Sequence, residues 1–360
     1  MNRKKVTSTD VARKAGVSQS TVSMILNKKY NVSFSRETVE RVECAAKELG
    51  YENEKKHSKT RISMRGTIFV ICPNLTNPYY FFFFLGIEKT AQKNKYDVFL
   101  CNTRRNYQTE KKYLRKIEKL NPSGIIYTCS PSFPEIVQKL SEKIPVVHIG
   151  EKNAVQGIDT VELNSEKIGH MLAEYLLRLG HKKVAFLSTP LTKRQSARRA
   201  RIKGFCQAFE EAGYGDGVYV KSLPKEADVL FQEIDMEYKT GYELTGKILL
   251  EVPDLTAIVG SNDMVALGIR DALLHRHYKI PEEVSVLGCD NLLISGIHGI
   301  DLTTVEHFTG KKGEDACQVL IEKIEEKELK KGKQTGEMIH HIEYEPRLVI
   351  RGSSGYPKKL

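Results

Sequence analysis

Residues 8–27 read STDVARKAGVSQSTVSMILN, a stretch that predicts two short helices joined by a tight turn. The first helix begins at Ser8 or Thr9 and ends at Gly16, because glycine readily takes the left-handed conformation that closes a helix. Ser18 follows as the N-cap of the second helix. The apolar side chains of that helix recur at the i, i+3, i+4 spacing of a buried face. They are Val22, Ile25 and Leu26.

The other side chains of the second helix face outward and are mostly short and polar. They are Gln19, Ser20, Ser23, Met24 and Asn27. Base edges in the major groove offer donors, acceptors and the thymine methyl group, so such a face is suited to reading DNA as a helix-turn-helix. The same spacing also describes a solvated helical hairpin, and the pattern alone leaves both interpretations open.

Positive charge is concentrated at this end of the chain. The 360 residues carry a formal net charge of +11, and the first 65 hold 15 Lys and Arg against 7 Asp and Glu. These 65 residues therefore carry +8 of the +11. A basic excess on a small unit is the electrostatic footprint of a phosphate-binding domain. Together with the two-helix pattern, it favours nucleic-acid binding.

Several short motifs carry a resemblance to a known family. In the first 51 residues they are TDVA (9–12), AGVS (15–18), TVS (21–23) and LN (26–27), and further along they include CPN (72–74), NPY (77–79), LGHKKVAF (179–186), SND (261–263) and LTTV (302–305). The chain resembles the lactose/galactose repressor (LacI/GalR) family of bacterial transcription regulators over nearly its whole length. The resemblance implies a sequence-specific DNA-binding repressor without a cofactor, controlled by a small polar effector such as a sugar, a sugar derivative or a sugar phosphate.

Short apolar runs alternate with amphipathic helical stretches from residue 67 onward. Seven runs are predicted strands, at 68–72, 98–101, 125–127, 146–149, 184–187, 258–260 and 286–288. This alternation predicts α/β structure with parallel sheets and helices on both faces, and so many units require two sheets. The resemblance implies two Rossmann-like lobes of the periplasmic-binding-protein type, preceded by a small all-α helix-turn-helix head.

These features predict three parts of the chain. They are a head at 1–51, closed by a third helix after Ser35, a polar hinge or linker at 52–66, and a two-lobed effector-binding and dimerisation domain at 67–360. The resemblance implies that the chain crosses between the lobes near residues 164, 296 and 330. The first lobe would then span about 67–164 and 297–330, and the second about 165–296 and 331–360.

The resemblance assigns one face of the head and one hinge residue to contact with double-stranded DNA. The residues are Thr7, Ser8, Ser18, Gln19, Ser20, Thr21, Ser23, Met24, Asn27 and Thr60. Two heads of a homodimer would read the half-sites of a pseudo-palindromic operator. Thr60 stands where relatives insert a leucine wedge between base pairs. A polar threonine surrounded by Lys and Arg favours weak bending of the operator and a steep dependence on salt.

Charged and polar side chains follow predicted strands at Arg201, Asn262 and Asp290, directly or after a loop. Guanidinium, amide and carboxylate groups together complement the adjacent hydroxyls of a sugar. The resemblance assigns effector contacts to these three and to Tyr79, Tyr80 and Met236, where Met236 replaces a stacking aromatic residue of many relatives. The basic residues Lys193, Arg194, Arg198 and Arg199 indicate either a site for a phosphorylated sugar or a solvated helix start.

The run YYFFFFL at 79–85 is apolar on every side if it is helical. One sheet covers only part of such a helix, so a second surface is expected to cover the rest. The resemblance implies a homodimer through Phe81, Phe82 and Leu85. A helix buried within a single chain is the alternative.

Catalysis, metal binding and membrane insertion have no support in the sequence. A Gly-rich phosphate loop, HExxH and GxSxG are absent, and the histidines at 275, 277, 340 and 341 have no Cys or carboxylate at metal-ligand spacing. The N-terminus has no apolar signal region, and no apolar run reaches ~18 residues. We expect a cytoplasmic regulator with reduced cysteines. The alternatives are a small-molecule binding protein without DNA function and a sugar-acting enzyme.

Overall fold

The computed structural model describes residues 6–26, 34–51, 64–152, 154–191, 196–224, 235–329 and 338–358. The chain forms two compact units, 1–63 and 64–360, which we call the head and the effector domain. Among the described residues, no helix combines the length and apolar character needed to cross a membrane.

The described residues of the head form three helices: α1 (Ser8–Ala15), α2 (Gln19–Leu26) and α3 (Arg36–Glu48). Thr7 and Asp10 begin α1 with a reciprocal capping box, in which the Thr7 amide donates to Asp10 Oδ2 at 2.9 Å. Gly16 ends α1 with φ 66°, and the Thr21 amide donates to Ser18 Oγ at 3.1 Å. The helix-turn-helix predicted from residues 8–27 is therefore present. The buried side chains are small and apolar: Val11, Ala12, Ala15, Val22, Ile25, Val42, Ala45 and Ala46.

The first lobe of the effector domain is a six-stranded parallel sheet with helices on both faces. Its strands are β1 (Thr67–Cys72), β2 (Asp97–Asn102), β3 (Gly124–Tyr127), β4 (Val146–Ile149), β5 (Asp159–Leu163) and β11 (His341–Tyr344), in the order β11-β5-β4-β3-β1-β2. Its helices are α4 (Pro78–Lys93), α5 (Tyr107–Leu120), α6 (Pro134–Ser141) and α11 (Thr309–Leu329).

The second lobe is a four-stranded parallel sheet, again between helices. Its strands are β6 (Val184–Ser188), β7 (Val218–Ser222), β8 (Ala257–Gly260) and β9 (Ser285–Leu287), in the order β7-β6-β8-β9. Its helices are α7 (Ser165–Leu179), α8 (Ser196–Glu211), α9 (Met236–Glu251) and α10 (Asp263–His275). A separate antiparallel pair joins β10 (Thr304–Glu306) to β12 (Arg347–Val349).

All seven predicted strands are present, and β5, β7, β10, β11 and β12 are additional. These five strands are short or are interrupted by polar residues: β5, for example, has the sequence DTVEL, with a polar residue on each side of Val161. Their side chains alternate between apolar and polar or are mostly polar. Pairing with a neighbouring strand therefore gives these segments their extended conformation.

Two of the three predicted crossings between the lobes lie in the wrong place. The chain leaves the first lobe at Asn164, as predicted, but returns between β10 and α11 and crosses again between β11 and β12. Both crossings come later than the predicted residues 296 and 330. The reason is tertiary: Thr303 and Glu306 still bridge to Leu287 and Asp290 of the second lobe, and Ile342 of β11 pairs with Val161 of β5 in the first.

Pairs of helices in both lobes cross at glycines. The crossings are α4 with α11 at Gly86 and Gly313, α7 with α8 at Gly169 and Gly204, and α9 with α10 at Gly241 and Gly268. A Cβ on Gly169 would lie 1.9 Å from the carbonyl oxygen of Arg201. The helix that carries Arg201 therefore lies backbone against backbone on α7, which fixes the position of this side chain.

Candidate functional site

The head presents most of the predicted DNA-contacting residues on its surface. Thr7, Ser18, Gln19, Ser20 and Ser23 are exposed, and Ser8, Thr21 and Met24 are half-buried. Asn27 and Thr60 lie outside the described residues, as do Lys193 and Arg194 of the predicted basic cluster.

Several of these polar groups also hold the head together. Ser18 Oγ caps α2 and lies 2.7 Å from Ser20 Oγ. Gln19 Nε2 donates to Ser8 Oγ at 3.0 Å and so ties α2 to α1. That bond uses one of the two amide hydrogens of Gln19, so the other hydrogen and Oε1 can still contact a base edge.

A cleft between the two lobes of the effector domain has a cavity of about 150 Å³. It is lined by Asn77, Tyr79, Tyr80, Arg105, Thr128, Cys129, Ser130, Ile149, Gly150, Glu151, Ala197, Arg198, Arg201, Ser261, Asn262, Asp290 and His307. Most of these residues follow the carboxyl ends of strands, the edge at which open parallel sheets bind ligands. A larger groove of about 650 Å³, beside Pro145 and Gln156, lies instead at the amino ends of β4 and β5.

Five of the six predicted effector residues line this cleft: Tyr79, Tyr80, Arg201, Asn262 and Asp290. Met236 does not. It begins α9, it is only 5% exposed, and its carbonyl accepts a hydrogen bond from Thr240 Oγ1. The next residue, Glu237, accepts hydrogen bonds from Asn77 and Arg198, two of the residues that line the cleft.

Three polar atoms at the second-lobe side of the cleft are buried and have no hydrogen-bond partner among the described residues. They are Arg201 Nε, Ser261 Oγ and Asp290 Oδ2. Arg201 Nη1 meanwhile donates to the carbonyl of Ser261, which holds the guanidinium in place. Buried polar atoms are almost always hydrogen-bonded, so three orphans around one cavity indicate a polar ligand.

Asp263, the first residue of α10, holds the loop that carries Asp290. The hydroxyls of Ser295 and Thr304 both donate to its carboxylate at 2.5 Å. Thr304 Oγ1 in turn accepts from the Asp290 amide at 3.1 Å. Burial and the charge of Asp263 raise the pKa of Asp290 well above its usual value, against the opposing charge of Arg201. The second-lobe wall is therefore held by a connected hydrogen-bond network.

The first-lobe wall presents Tyr79 edge-on to His307, with ring centroids 5.5 Å apart. Burial, Arg201 and Lys312 lower the pKa of His307 well below its usual value, so its imidazole is neutral at pH 7. Burial also lowers the pKa of Lys312, behind the cleft, to about 7, although Asp290 opposes this shift.

Side chains of both lobes meet at Glu237. Asn77 Nδ2 of the first lobe donates to Glu237 Oε2 at 2.6 Å, and Arg198 Nη2 of the second donates to Oε1 at 2.8 Å. Nearby, Arg105 Nη2 donates to Tyr80 Oη at 3.2 Å. The cleft residues thus include an ion pair of the second lobe, to which the first lobe is joined by the hydrogen bond from Asn77.

Sequence analysis missed Arg105, Glu237 and His307. Arg105 follows a predicted strand after a short loop, so the rule that found Asp290 would have found it as well. His307 follows β10 directly, but β10 was not predicted. Glu237 carries no local signal, because its role depends on Asn77, which lies 160 residues away in the chain.

Strand pairing also brings carboxylates to a histidine that the sequence left without them. His341 Nε2 lies 3.0 Å from Glu162 Oε1, and the ligand atoms of Glu162, His341 and Glu343 lie within 4.8 Å of one another. Lys167 Nζ approaches Glu343 at 3.4 Å, and Thr160 Oγ1 bonds His341 Nδ1 at 2.6 Å. These contacts describe a surface ion-pair network.

The outer face of α4 is apolar and uncovered in the single chain. Phe81 is 46% exposed and Leu85 is 40% exposed, whereas Phe82 is half-buried. Phe83 and Ile87, on the inner face, belong to the core of the first lobe. The sheet therefore covers only one side of this helix.

Comparison with known proteins places these features in a family. The bacterial regulatory proteins of the lacI family match residues 7–54, and the family of periplasmic binding proteins and sugar binding domain of LacI family matches residues 65–343. An HTH-type transcriptional repressor PurR of Mannheimia succiniciproducens is 30% identical over 346 residues, 96% of this chain and 97% of that protein.

Solved structures share the fold. An uncharacterized protein from Actinobacillus succinogenes is 25% identical with a TM-score of 0.70, over 80% of this chain and 99% of that one. A LacI-family transcriptional regulator from Silicibacter pomeroyi is 24% identical with a TM-score of 0.69, over 97% and 99%. The predicted fold class, a helix-turn-helix head before two Rossmann-like lobes, is thereby confirmed. The chain belongs to the LacI family of bacterial regulatory proteins, and it is a DNA-binding transcriptional repressor, not an enzyme.

Proposed function

We propose that this repressor acts as a homodimer in the cytoplasm and that a sugar or sugar derivative, bound in the cleft, controls its affinity for a pseudo-palindromic operator. The observation that carries the proposal is the set of orphaned polar atoms of Arg201, Ser261 and Asp290 around the cavity. A polyol supplies both donors and acceptors to such a set.

The donor and acceptor pattern supports a ligand with adjacent hydroxyls. Arg201 donates, Asp290 accepts, and Asn262 offers its amide nitrogen because its Oδ1 already caps α10 through the Val265 amide at 2.9 Å. A cavity of about 150 Å³ is small beside typical ligand pockets of about 300–1,000 Å³. We therefore expect a ligand of monosaccharide size, enclosed when the lobes close.

The operator is expected to carry adenine or thymine opposite Met24, with Gln19 and Ser20 supplying polar contacts. Relatives often present a basic residue at the position of Met24, and loss of an Arg–guanine contact removes ~1–3 kcal/mol of discrimination. Selection from a random duplex library tests this expectation, and an obligatory guanine at that position would contradict it. Weak bending of the operator by the hinge around Thr60 stays a prediction for circular-permutation gel shifts.

Effector control is tested by operator-binding isotherms with and without ligands found in a thermal-shift screen of sugars, sugar phosphates and nucleosides. We expect at least one sugar-type compound to stabilise the protein and to change operator affinity. Arg201→Ala should lose both responses, because its guanidinium lies at the cavity and touches the Ser261 carbonyl. An operator affinity that no cleft ligand changes would contradict effector control.

Dimerisation is tested by charge placed on the exposed face of α4. Phe81→Glu should convert a dimer into a monomer in sedimentation equilibrium, because burial of a carboxylate in an apolar interface is unfavourable. Ile136→Glu is the matched control, since Ile136 is 36% exposed on α6, a helix that packs in a different core cluster of the first lobe from α4. A dimer that survives Phe81→Glu would place the interface elsewhere.

A further inference from the structure

We propose that the effector carries a phosphate group, which Arg105 of the first lobe and Arg198 of the second bind together in place of Glu237. The inference rests on the proposed function, because it names the chemical class of the ligand in the same cleft. It assigns the two ends of the cavity different tasks: Arg201, Asn262 and Asp290 bind hydroxyls, and the two other arginines bind the anion.

Glu237 occupies the position at which the two lobes meet. Its Oε1 accepts from Arg198 at 2.8 Å, its Oε2 accepts from Asn77 at 2.6 Å, and the Arg198 and Glu237 side chains are only 12% and 11% exposed. A buried charge is stable only when it is paired and hydrogen-bonded. Glu237 is therefore an anion that the protein itself supplies to Arg198 in this state.

Arg105 is held toward the same place by a constrained loop. Arg104 and Arg105 both have left-handed backbones, with φ of 50° and 54°, which two consecutive non-glycine residues rarely adopt. The Arg105 amide donates to the Pro73 carbonyl at 2.9 Å, and the guanidinium lies 5.9 Å from the Tyr80 ring centroid. Such strain persists where the surrounding structure enforces it and is concentrated at ligand sites.

Charged side chains of both signs line or adjoin the cleft. The basic residues are Arg105, Arg198 and Arg201, which line the cleft, and Lys312, which lies behind it. The acidic residues are Asp290, Glu237 and the less buried Glu151. Planar guanidinium groups bind phosphate oxygens through paired hydrogen bonds. A phosphate between Arg105 and Arg198 would supply negative charge in place of Glu237.

Exchange of the anion would also change a contact between the lobes. When phosphate replaces Glu237, the bond from Asn77 of the first lobe to Glu237 of the second is lost, and the ligand joins the lobes instead. A neutral sugar competes with Glu237 for the arginines only through its hydroxyl groups, which accept weaker hydrogen bonds than a charged phosphate does. The exchange therefore links ligand charge to the relative position of the lobes.

Inorganic phosphate tests the anion site without knowledge of the complete effector. Thermal unfolding of the full chain is measured in phosphate and in chloride of equal ionic strength at pH 7.5. We expect phosphate to raise the melting temperature by about 2 °C more than chloride at concentrations near ten times a millimolar Kd. Arg105→Met should abolish this difference, and Glu237→Gln should enlarge it, because the competing carboxylate is gone.

Arg198 needs a variant that leaves no unpaired buried charge. The double change Arg198→Gln with Glu237→Gln removes both charges of the pair and should also abolish the phosphate effect. Arg178→Met, at an exposed position of α7, is the matched control and should keep it. A phosphate effect equal to that of chloride, or one unchanged in Arg105→Met and in the double variant, would overturn the proposal.

Matched ligand pairs separate this inference from the proposed function. Glucose is compared with glucose 6-phosphate, and ribose with ribose 5-phosphate, by calorimetric titration. We expect the phosphorylated member of at least one pair to bind 10-fold or more tightly, with the advantage lost in Arg105→Met. If a neutral sugar binds through Arg201 and its phosphate binds no better, the anion site is wrong and effector control by a sugar stands. If no member of either pair binds, glucose, ribose and their phosphates are excluded as effectors, and the inorganic-phosphate experiment still decides the anion site.

Discussion

The two walls of the cleft are held in place by different kinds of force. On the second lobe, Asp263 fixes the Asp290 loop through a buried network of charge-assisted hydrogen bonds. On the first lobe, Tyr79 packs edge-on against the rings of Phe83 and His307, and its hydroxyl makes one long hydrogen bond of 3.3 Å to His307 Nδ1. The comparison indicates that the second-lobe wall is preorganised to recognise a ligand, whereas the first-lobe wall depends on packing and can adapt as the lobes close.

Removal of Asp263 is the strongest way to break this contrast. Asp263→Ala leaves the hydroxyls of Ser295 and Thr304 without their acceptor, and each buried unsatisfied group costs ~1–3 kcal/mol. We expect a loss of about 3–5 kcal/mol in urea unfolding, together with loss of effector binding. Asp271→Ala, on the exposed side of the same helix, is the control and should cost about 1 kcal/mol or less. Equal losses in the two variants would mean that the network is not what holds the wall.

Acid should weaken the first lobe through His148, which is fully buried on β4. Burial lowers the pKa of His148 to about 4, below its unfolded value near ~6.5. The unfolded chain therefore binds more protons between these values, and stability falls as pH drops from about 6.5 to about 4. The contribution of this group is about 3 kcal/mol.

Urea unfolding of His148→Phe at pH 7 and at pH 4.5 measures this dependence. The loss of stability between the two pH values should be smaller by about 2 kcal/mol than in the unchanged protein. His298→Phe is the control, because His298 is fully exposed and should leave the pH dependence as it was. An unchanged slope in His148→Phe would show that other groups carry the acid sensitivity.

Gly169→Ala tests how rigidly the second-lobe wall is held, and its expected effect on stability is smaller than those of the Asp263 and His148 variants. Its Cβ would lie 1.9 Å from the Arg201 carbonyl oxygen, so α7 and α8 must separate. Overpacking of this kind costs ~1–3 kcal/mol, and we expect about 2 kcal/mol with weaker effector binding. Gly310→Ala has open space for its Cβ and should be neutral or slightly stabilising. Effector affinity unchanged in Gly169→Ala would show that the Arg201 helix tolerates displacement.

Sequence alone predicted the second-lobe wall better than the first. Arg201, Asn262 and Asp290 follow strands with strong apolar runs, so the position of each could be placed at a sheet edge before the structure was known. His307 escaped because β10 has only three residues and takes its extended form from pairing with β12. Arg105 was within reach of the same rule, since it follows a predicted strand.

The sequence by itself determined the helix-turn-helix head and the alternation of strands and helices. Those features depend on side-chain periodicity and capping within a few residues, which a linear pattern records. Only the tertiary structure decided where the chain crosses between lobes, that Ile342 pairs with Val161, and that Asn77 meets Glu237. Such contacts join residues more than a hundred positions apart, and they form because the two folded lobes face each other, which no local pattern specifies.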